Sequence, residues 1–300
     1  YVDGGIVASE AAKIFGKPFV FTPHSLGAWK RAQMGGEEKQ MEEEFHFNHR
    51  ISEELRLFSL ADGLLLTTEL QRDKIKELYG WNQGDSNVIP PGVDISLFRP
   101  LRSGDEIRPS YLPSQFIFCL SRIDSNKGHI MLLKAFSIVV KEIPTAKLLI
   151  GGGSPNPQST ELQVVSSMKN MIADMQIQDS VNIIGYVSDA DLAPSYKHAE
   201  LFVLPSIFEP FGMTALEAMS CAKTVVASKF GGIREVIVSG ENGILADPSN
   251  MDEFSGAMIS VLKDSNMASR MGLEARKTVE DRFSWDAIAK QHLRYYERLL

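Results

Sequence analysis

The feature that most constrains this chain is the alternation between residues 116 and 248. Six short apolar runs rich in β-branched residues lie at 116–120, 147–150, 181–184, 201–204, 224–227 and 243–246. Helix-forming segments such as 131–142 and 160–175 separate most of them. Short, mostly apolar runs of this kind read as strands. Strand–helix alternation of that kind is the pattern of a parallel sheet covered by helices. The crossovers should then be right-handed. Residues 113–283 are therefore expected to form a complete α/β, doubly wound, Rossmann-like domain.

The region before Pro113 is thinner. Three strands are expected at 19–22, 63–67 and 87–89, flanked by helices at 5–15, 41–61 and 69–79. Residues 1–112 read as a partial second domain, ending in a Pro-, Ser- and Gly-rich connection from Pro90 to Pro113. Residues 284–300 form an amphipathic segment with Ser284 as N-cap. Two domains suit 300 residues.

Composition narrows the function. With 44% hydrophobic and 23% charged residues the chain falls in the soluble globular range. A net charge of −7 weighs against a nucleic-acid partner, which needs clustered Lys and Arg. No apolar run approaches the ~20 residues needed to cross a bilayer. Cys119 and Cys221 sit in apolar contexts and read as buried free thiols of a reducing, cytoplasmic compartment. No Cys/His set has zinc spacing.

The chemistry concentrates in a few loops. Ser206 to Met219 follows an apolar run and carries Glu209 and Glu217 eight residues apart. The backbone N–H groups of Phe211, Gly212 and Met213 would open a helix, where they lack internal partners and suit an anion. The two carboxylates suit sugar hydroxyls. The plainer reading is an ordinary strand–loop–helix with two solvated glutamates. Arg122 and Lys127 follow the first strand of the larger domain, at a carboxyl end where open α/β sheets bind ligands. Two fixed cations there would stabilise an anion; the alternative is two solvated surface cations. Lys30, Arg31 and Arg50 form a basic set suited to a phosphate, or to pairing with the acidic run 37–44. Asp189 and Asp191 open a helix, where acids are expected from its dipole, so no metal is assigned to them.

Glu209-Pro210-Phe211-Gly212-Met213-Thr214-Ala215-Leu216-Glu217 resembles the Glu-x7-Glu motif of retaining glycosyltransferases of family 4, which have the GT-B fold. Further matches follow in order: Pro23-His24-Ser25-Leu26-Gly27, Pro90-Pro91-Gly92, Ser121-Arg122 through Lys127-Gly128, Gly185-Tyr186-Val187 and Gly231-Gly232. Ser121 departs from the family's usual Gly. The segments around Ala28-Trp29-Lys30 and Arg50 are similar to the sucrose-phosphate synthase and mannosylfructose-phosphate synthase group.

The resemblance implies two Rossmann-like domains with a cleft between them, a truncated N-terminal domain lacking strands upstream of Tyr1, and a last helix crossing back to it. It implies transfer of a hexose from GDP-mannose or UDP-glucose to fructose 6-phosphate, with the nucleotide sugar as substrate and no required cofactor. Arg122 and Lys127 would meet the leaving diphosphate, Glu209 the transferred hexose and Glu217 the ribose. Val187 would border the base. His24 would position the hexose, since retaining transfer in this fold needs no enzymic nucleophile. Lys30 and Arg50 would hold the acceptor phosphate. Gly231-Gly232 is either a bare turn or a close approach to the ligand. The Glu pair and the Arg/Lys pair weigh against an epimerase, and no lysine-anchored pyridoxal signal supports a phosphorylase. The alternatives are a family 4 hexosyltransferase with another acceptor, or a non-catalytic nucleotide-sugar-binding module.

Overall fold

The computed structural model describes residues 2–33, 38–82, 84–105, 108–207 and 209–300. It divides into two units, one running to Pro91 and taking in Asp286–Leu300, the other Gly92–Trp285.

The first unit contains α1 (Val2–Phe15), β1 (Val20–Phe21), α2 (Gly27–Gln33), α3 (Glu38–Phe45), α4 (Phe47–Leu60), β2 (Gly63–Leu66), α5 (Glu69–Tyr79) and β3 (Asp85–Val88). The strands form a parallel sheet in the order β1-β2-β3, with Gly63 opposite both Val20 and Asp85. Central β2 is buried at all four positions, as its unbroken Gly-Leu-Leu-Leu run requires. Thr68 caps α5 by accepting from Gln71 N–H, and Gly80 ends it in the left-handed region. The helix expected over 41–61 is two helices. His46, at φ 50°, turns the chain between α3 and α4.

The second unit runs β4 (Ile117–Leu120), a 3-10 turn (Ser125–Lys127), α6 (His129–Glu142), β5 (Leu148–Gly151), α7 (Ser159–Asp174), β6 (Val181–Gly185) and α8 (Asp189–His198). It continues through β7 (Leu201–Leu204), α9 (Met213–Ser220), β8 (Thr224–Ser228), a 3-10 turn (Gly232–Glu235), β9 (Ile244–Ala246), α10 (Met251–Lys263) and α11 (Ser265–Arg282). All six strands are parallel, in the order β6-β5-β4-β7-β8-β9. This is the doubly wound arrangement, and the winding direction reverses between β4 and β7. Each face carries its own core. Ile117, Cys119, Val203 and Phe136 lie on one side; Phe118, Phe202, Tyr196 and Leu216 lie on the other. Adjacent residues of one strand thus feed opposite cores, as a strand's two-residue period dictates.

The stretch from Gly92 to Leu112, read above as a connection, packs as part of this unit. Val93, Phe98 and Leu112 join the Phe118 core, and Val93 N–H donates to Phe283 O at 2.8 Å. Cys119 and Cys221 are buried and free. The last helix, α12 (Trp285–Leu299), sets Ile288 and Tyr295 against Leu65 and Ile89 of the first unit. A Cβ on Gly63 would stand 2.0 Å from the Tyr295 hydroxyl, so that position admits only glycine. No described helix is long and apolar enough to cross a membrane.

Candidate functional site

Two loops meet where the second sheet reverses its winding: the one leaving β4 and the one leaving β7. Their approach is set by backbone. Gly128 (φ 73°) ends the 3-10 turn and opens α6. A Cβ there would lie 2.2 Å from Pro205 O, and Ile207 N–H donates to Asn126 O at 3.3 Å. The two loops therefore touch with no side chain between them at this point. Asp124 caps the turn by accepting from Asn126 N–H.

This contact brings Lys127 and Glu209 together, 82 residues apart in sequence. Lys127 Nζ lies 2.8 Å from Glu209 Oε2, with the lysine only 7% exposed. Arg122, from the same loop, stays 80% exposed, with Asp124 3.6 Å away. The backbone of Glu209 is held from below. Its carbonyl accepts from Gly232 N–H at 2.8 Å, and a Cβ on Gly231 would press to 3.2 Å on Glu209. Gly231 and Gly232 enter a 3-10 turn and approach the Glu209 loop closely.

Gly212 (φ 105°) opens α9, with Ile233 and Leu204 against its α-carbon. Phe211 points into the core against Phe283, which leaves its backbone N–H as the group it can offer a ligand. Met213 is half-buried at the first helical position. One turn on, half-buried Glu217 accepts from the Tyr196 hydroxyl at 2.6 Å through Oε2. Burial pushes the Glu217 carboxyl up to about 7, against the downward pull of that hydrogen bond. Val187, past the end of β6, packs its Cγ2 against Gly151, where a Cβ would come within 2.7 Å.

Sequence reasoning did not find Tyr196 or His129. Tyr196 is fully buried among Phe98, Phe118 and Phe202. His129, buried at the start of α6, lies 3.1 Å from Ser121 Oγ through Nε2, and burial pulls it down to about 4. The only signal for either is a polar residue in an apolar helical stretch, which does not say what it meets. Asp191 is explained locally, since it accepts from the Ser188 hydroxyl and its N–H donates back to that oxygen.

In the first unit the loop after β1 is clamped from beneath by a buried polar network. Glu54, 1% exposed, accepts from Gly27 N–H at 2.9 and 3.1 Å, from Arg50 Nε at 2.9 Å and from the Tyr79 hydroxyl. The Tyr79 oxygen in turn accepts from Ala28 N–H. Arg50 Nη2 donates to Ser25 O and Oγ, and Gln71 Nε2 to Pro23 O. His24 rides this loop on the exposed side. Arg50 pairs with Glu54, and Arg31 donates to Asn48. Lys30 Nζ sits 4.9 Å above the Phe45 ring, a cation–π contact. Glu37 of the acidic run lies outside the described residues.

The family described as glycosyl transferases group 1 matches residues 105–278. The mannosylfructose-phosphate synthase of Agrobacterium fabrum is 32% identical over 99% of this chain and 67% of its own length. A probable sucrose-phosphate synthase of Thermosipho melanesiensis is 28% identical over 99% of this chain and 69% of its own. Among solved structures, the sucrose-phosphate synthase of Thermosynechococcus elongatus superimposes with a TM-score of 0.84 at 28% identity, covering all of this chain and 72% of that one. The chain thus spans about two thirds to three quarters of the length of these relatives, and its α/β fold is of the GT-B kind.

Proposed function

Because the chain belongs to the glycosyl transferases of group 1, we propose that this glycosyltransferase moves a hexose, with retention, from a nucleotide sugar to fructose 6-phosphate. The observation that carries the reading is the Lys127–Glu209 pair at the reversal point of the sheet, with exposed Arg122 on the same loop as Lys127. A donor diphosphate over this point would meet two cations and the N–H groups that open α9. In this reading Glu209 accepts from hexose hydroxyls and Glu217 from the ribose. Arg122 is free to swing, since its side chain is mostly in solvent. Lys127 is not, and its ammonium marks where negative charge is best stabilised.

In the proposed reaction the bond between the anomeric carbon and the phosphate oxygen breaks. A bond to the acceptor hydroxyl oxygen forms on the same face. The hydroxyl proton passes to the departing diphosphate, so no side chain must serve as nucleophile. His24 positions the hexose from the clamped loop. Lys30 and Arg50 stand for the acceptor phosphate, with Arg50 also fixing Ser25. The names of the relatives, one a mannosyl and one a sucrose-phosphate synthase, support fructose 6-phosphate as acceptor and favour GDP-mannose and UDP-glucose as donors. Two buried free thiols suit a cytoplasmic setting.

The test is a product assay crossing both donors with fructose 6-phosphate, with the anomeric configuration read by NMR. One donor should give a phosphorylated disaccharide of retained configuration. Lys127→Ala should lower its turnover by roughly 10²–10³, the scale for losing one oriented charge stabiliser. An inverted product, or a Lys127→Ala rate within a few-fold of the parent, would reject the assignment.

A further inference from the structure

We propose that Tyr196 is a positioning residue for donor binding, fixing the Glu217 carboxylate so that its remaining lone pairs face the nucleotide's ribose. The inference rests on the donor-site reading above. Its observation is separate: a fully buried phenol from α8 reaches across to α9 and donates to Glu217 Oε2 at 2.6 Å.

A glutamate one turn into a helix ordinarily samples several rotamers. Here the ring of Tyr196 cannot move, because Phe98, Phe118 and Phe202 pack around it with centroids 5.7, 5.4 and 5.3 Å away. A rigid ring fixes its oxygen, and that oxygen fixes one carboxylate oxygen. An ionised carboxylate has about four acceptor sites. One bond to Tyr196 leaves enough for a pair of adjacent hydroxyls, now presented in a single orientation. Holding the group before the ligand arrives removes an ordering cost from binding.

The surroundings leave this bond to act without a nearby ion pair. Tyr196 from α8 and Cys221, just past the end of α9, are the titratable groups that bear on Glu217 among the described residues. Lys197, Lys223 and Arg276 bear on Cys221 instead, and Arg276 of α11 bonds Ser220. Cys119 of β4 bears on Tyr196 only from the opposite face of the sheet. β7 and β8 present apolar side chains to this side of the sheet, among them Phe202, Leu204, Val225 and Ala227.

The experiment is calorimetric titration of UDP and GDP into the parent, Tyr196→Phe, Glu217→Ala and Glu217→Gln across pH about 5.5 to about 8.5. Phe keeps the ring packing, and a thermal melt confirms that the variant is folded. Tyr196→Phe should weaken binding about tenfold near neutrality, the scale of a hydrogen bond to a charged group. The acid-side loss of affinity should also move to higher pH, because the bond that holds the Glu217 carboxyl down is gone. Glu217→Gln should flatten the profile. A merely structural tyrosine would change the melt and leave the profile in place. Unchanged affinity and profile in Tyr196→Phe, with affinity lost in Glu217→Ala, would overturn this inference and leave the donor site standing. Parent-like binding by Glu217→Ala, or no binding of either nucleotide by the parent, would overturn both.

Discussion

Glu217 has a folded value of about 7 against an ordinary 4.5, with burial as the cause. Between those values the native state binds more protons than the unfolded chain, so this group's contribution to stability falls as pH rises through the window. Below it the neutral acid sits in its site without penalty; above it the buried charge opposes folding. Glu217→Gln mimics the neutral form. Its melting temperature relative to the parent should therefore be more favourable at about pH 8 than at about pH 5. An equal difference at both would show that Glu217 titrates normally. The four charged residues proposed for the donor site stand out in the sequence because they lie in the loops and helix that follow apolar runs. Tyr196 was not, since its partner lies 21 residues away and only the packing of α8 on α9 joins them. The double engagement of Arg50 by Glu54 and Ser25 was likewise hidden, because a basic residue in a helix looks the same whether it faces solvent or a buried carboxylate.

At the scale of elements, the loops after β4 and β7 depend on Gly128 more than on any side chain. Alanine there would place a Cβ 2.2 Å from Pro205 O, at a φ of 73° that disfavours it independently. Gly128→Ala should cost about 1–3 kcal/mol in chemical denaturation, the range for a residue held in a sparsely populated backbone region. It should also weaken donor binding, because relief requires the two loops to part. Parent-like stability would mean that the loops are not in contact. Strand positions were readable to within a residue or two, since continuous apolar runs have few other fates. Strand order was not, because hydrogen-bonding neighbours such as β4 and β7 are chosen by the packing of three intervening helices. The break at His46 had no signal either, being a left-handed residue that is neither Gly nor Asn.

Over the whole molecule, the chain builds its first unit from both ends. β2 and β3 need the far helix α12: Tyr295 is buried beside Gly63, and Arg298 pairs with Asp85 at 3.2 Å. Tyr295→Ala should destabilise by about 3–5 kcal/mol, the cost of removing a large buried ring. It should leave nucleotide affinity unchanged, because the residues proposed to bind the donor belong to the other unit. Loss of nucleotide binding in a folded Tyr295→Ala protein would contradict that separation. The amphipathic pattern after Ser284 announced the helix, whereas its seat on Leu65 and Ile89 follows only from the three-dimensional fold. The account as a whole stands on the donor site at the reversal point, and Arg122 probes it most cleanly, being 80% exposed and so of little consequence for folding. The deciding measurement is calorimetric titration of UDP and GDP into the parent, Arg122→Ala and, as control, Lys263→Ala, whose exposed pair with Glu142 lies between α10 and α6. The account predicts that one nucleotide binds the parent, that Arg122→Ala weakens it about tenfold or more, and that Lys263→Ala does not change it. Failure of both nucleotides to bind the parent, or parent-like affinity in Arg122→Ala, would contradict it.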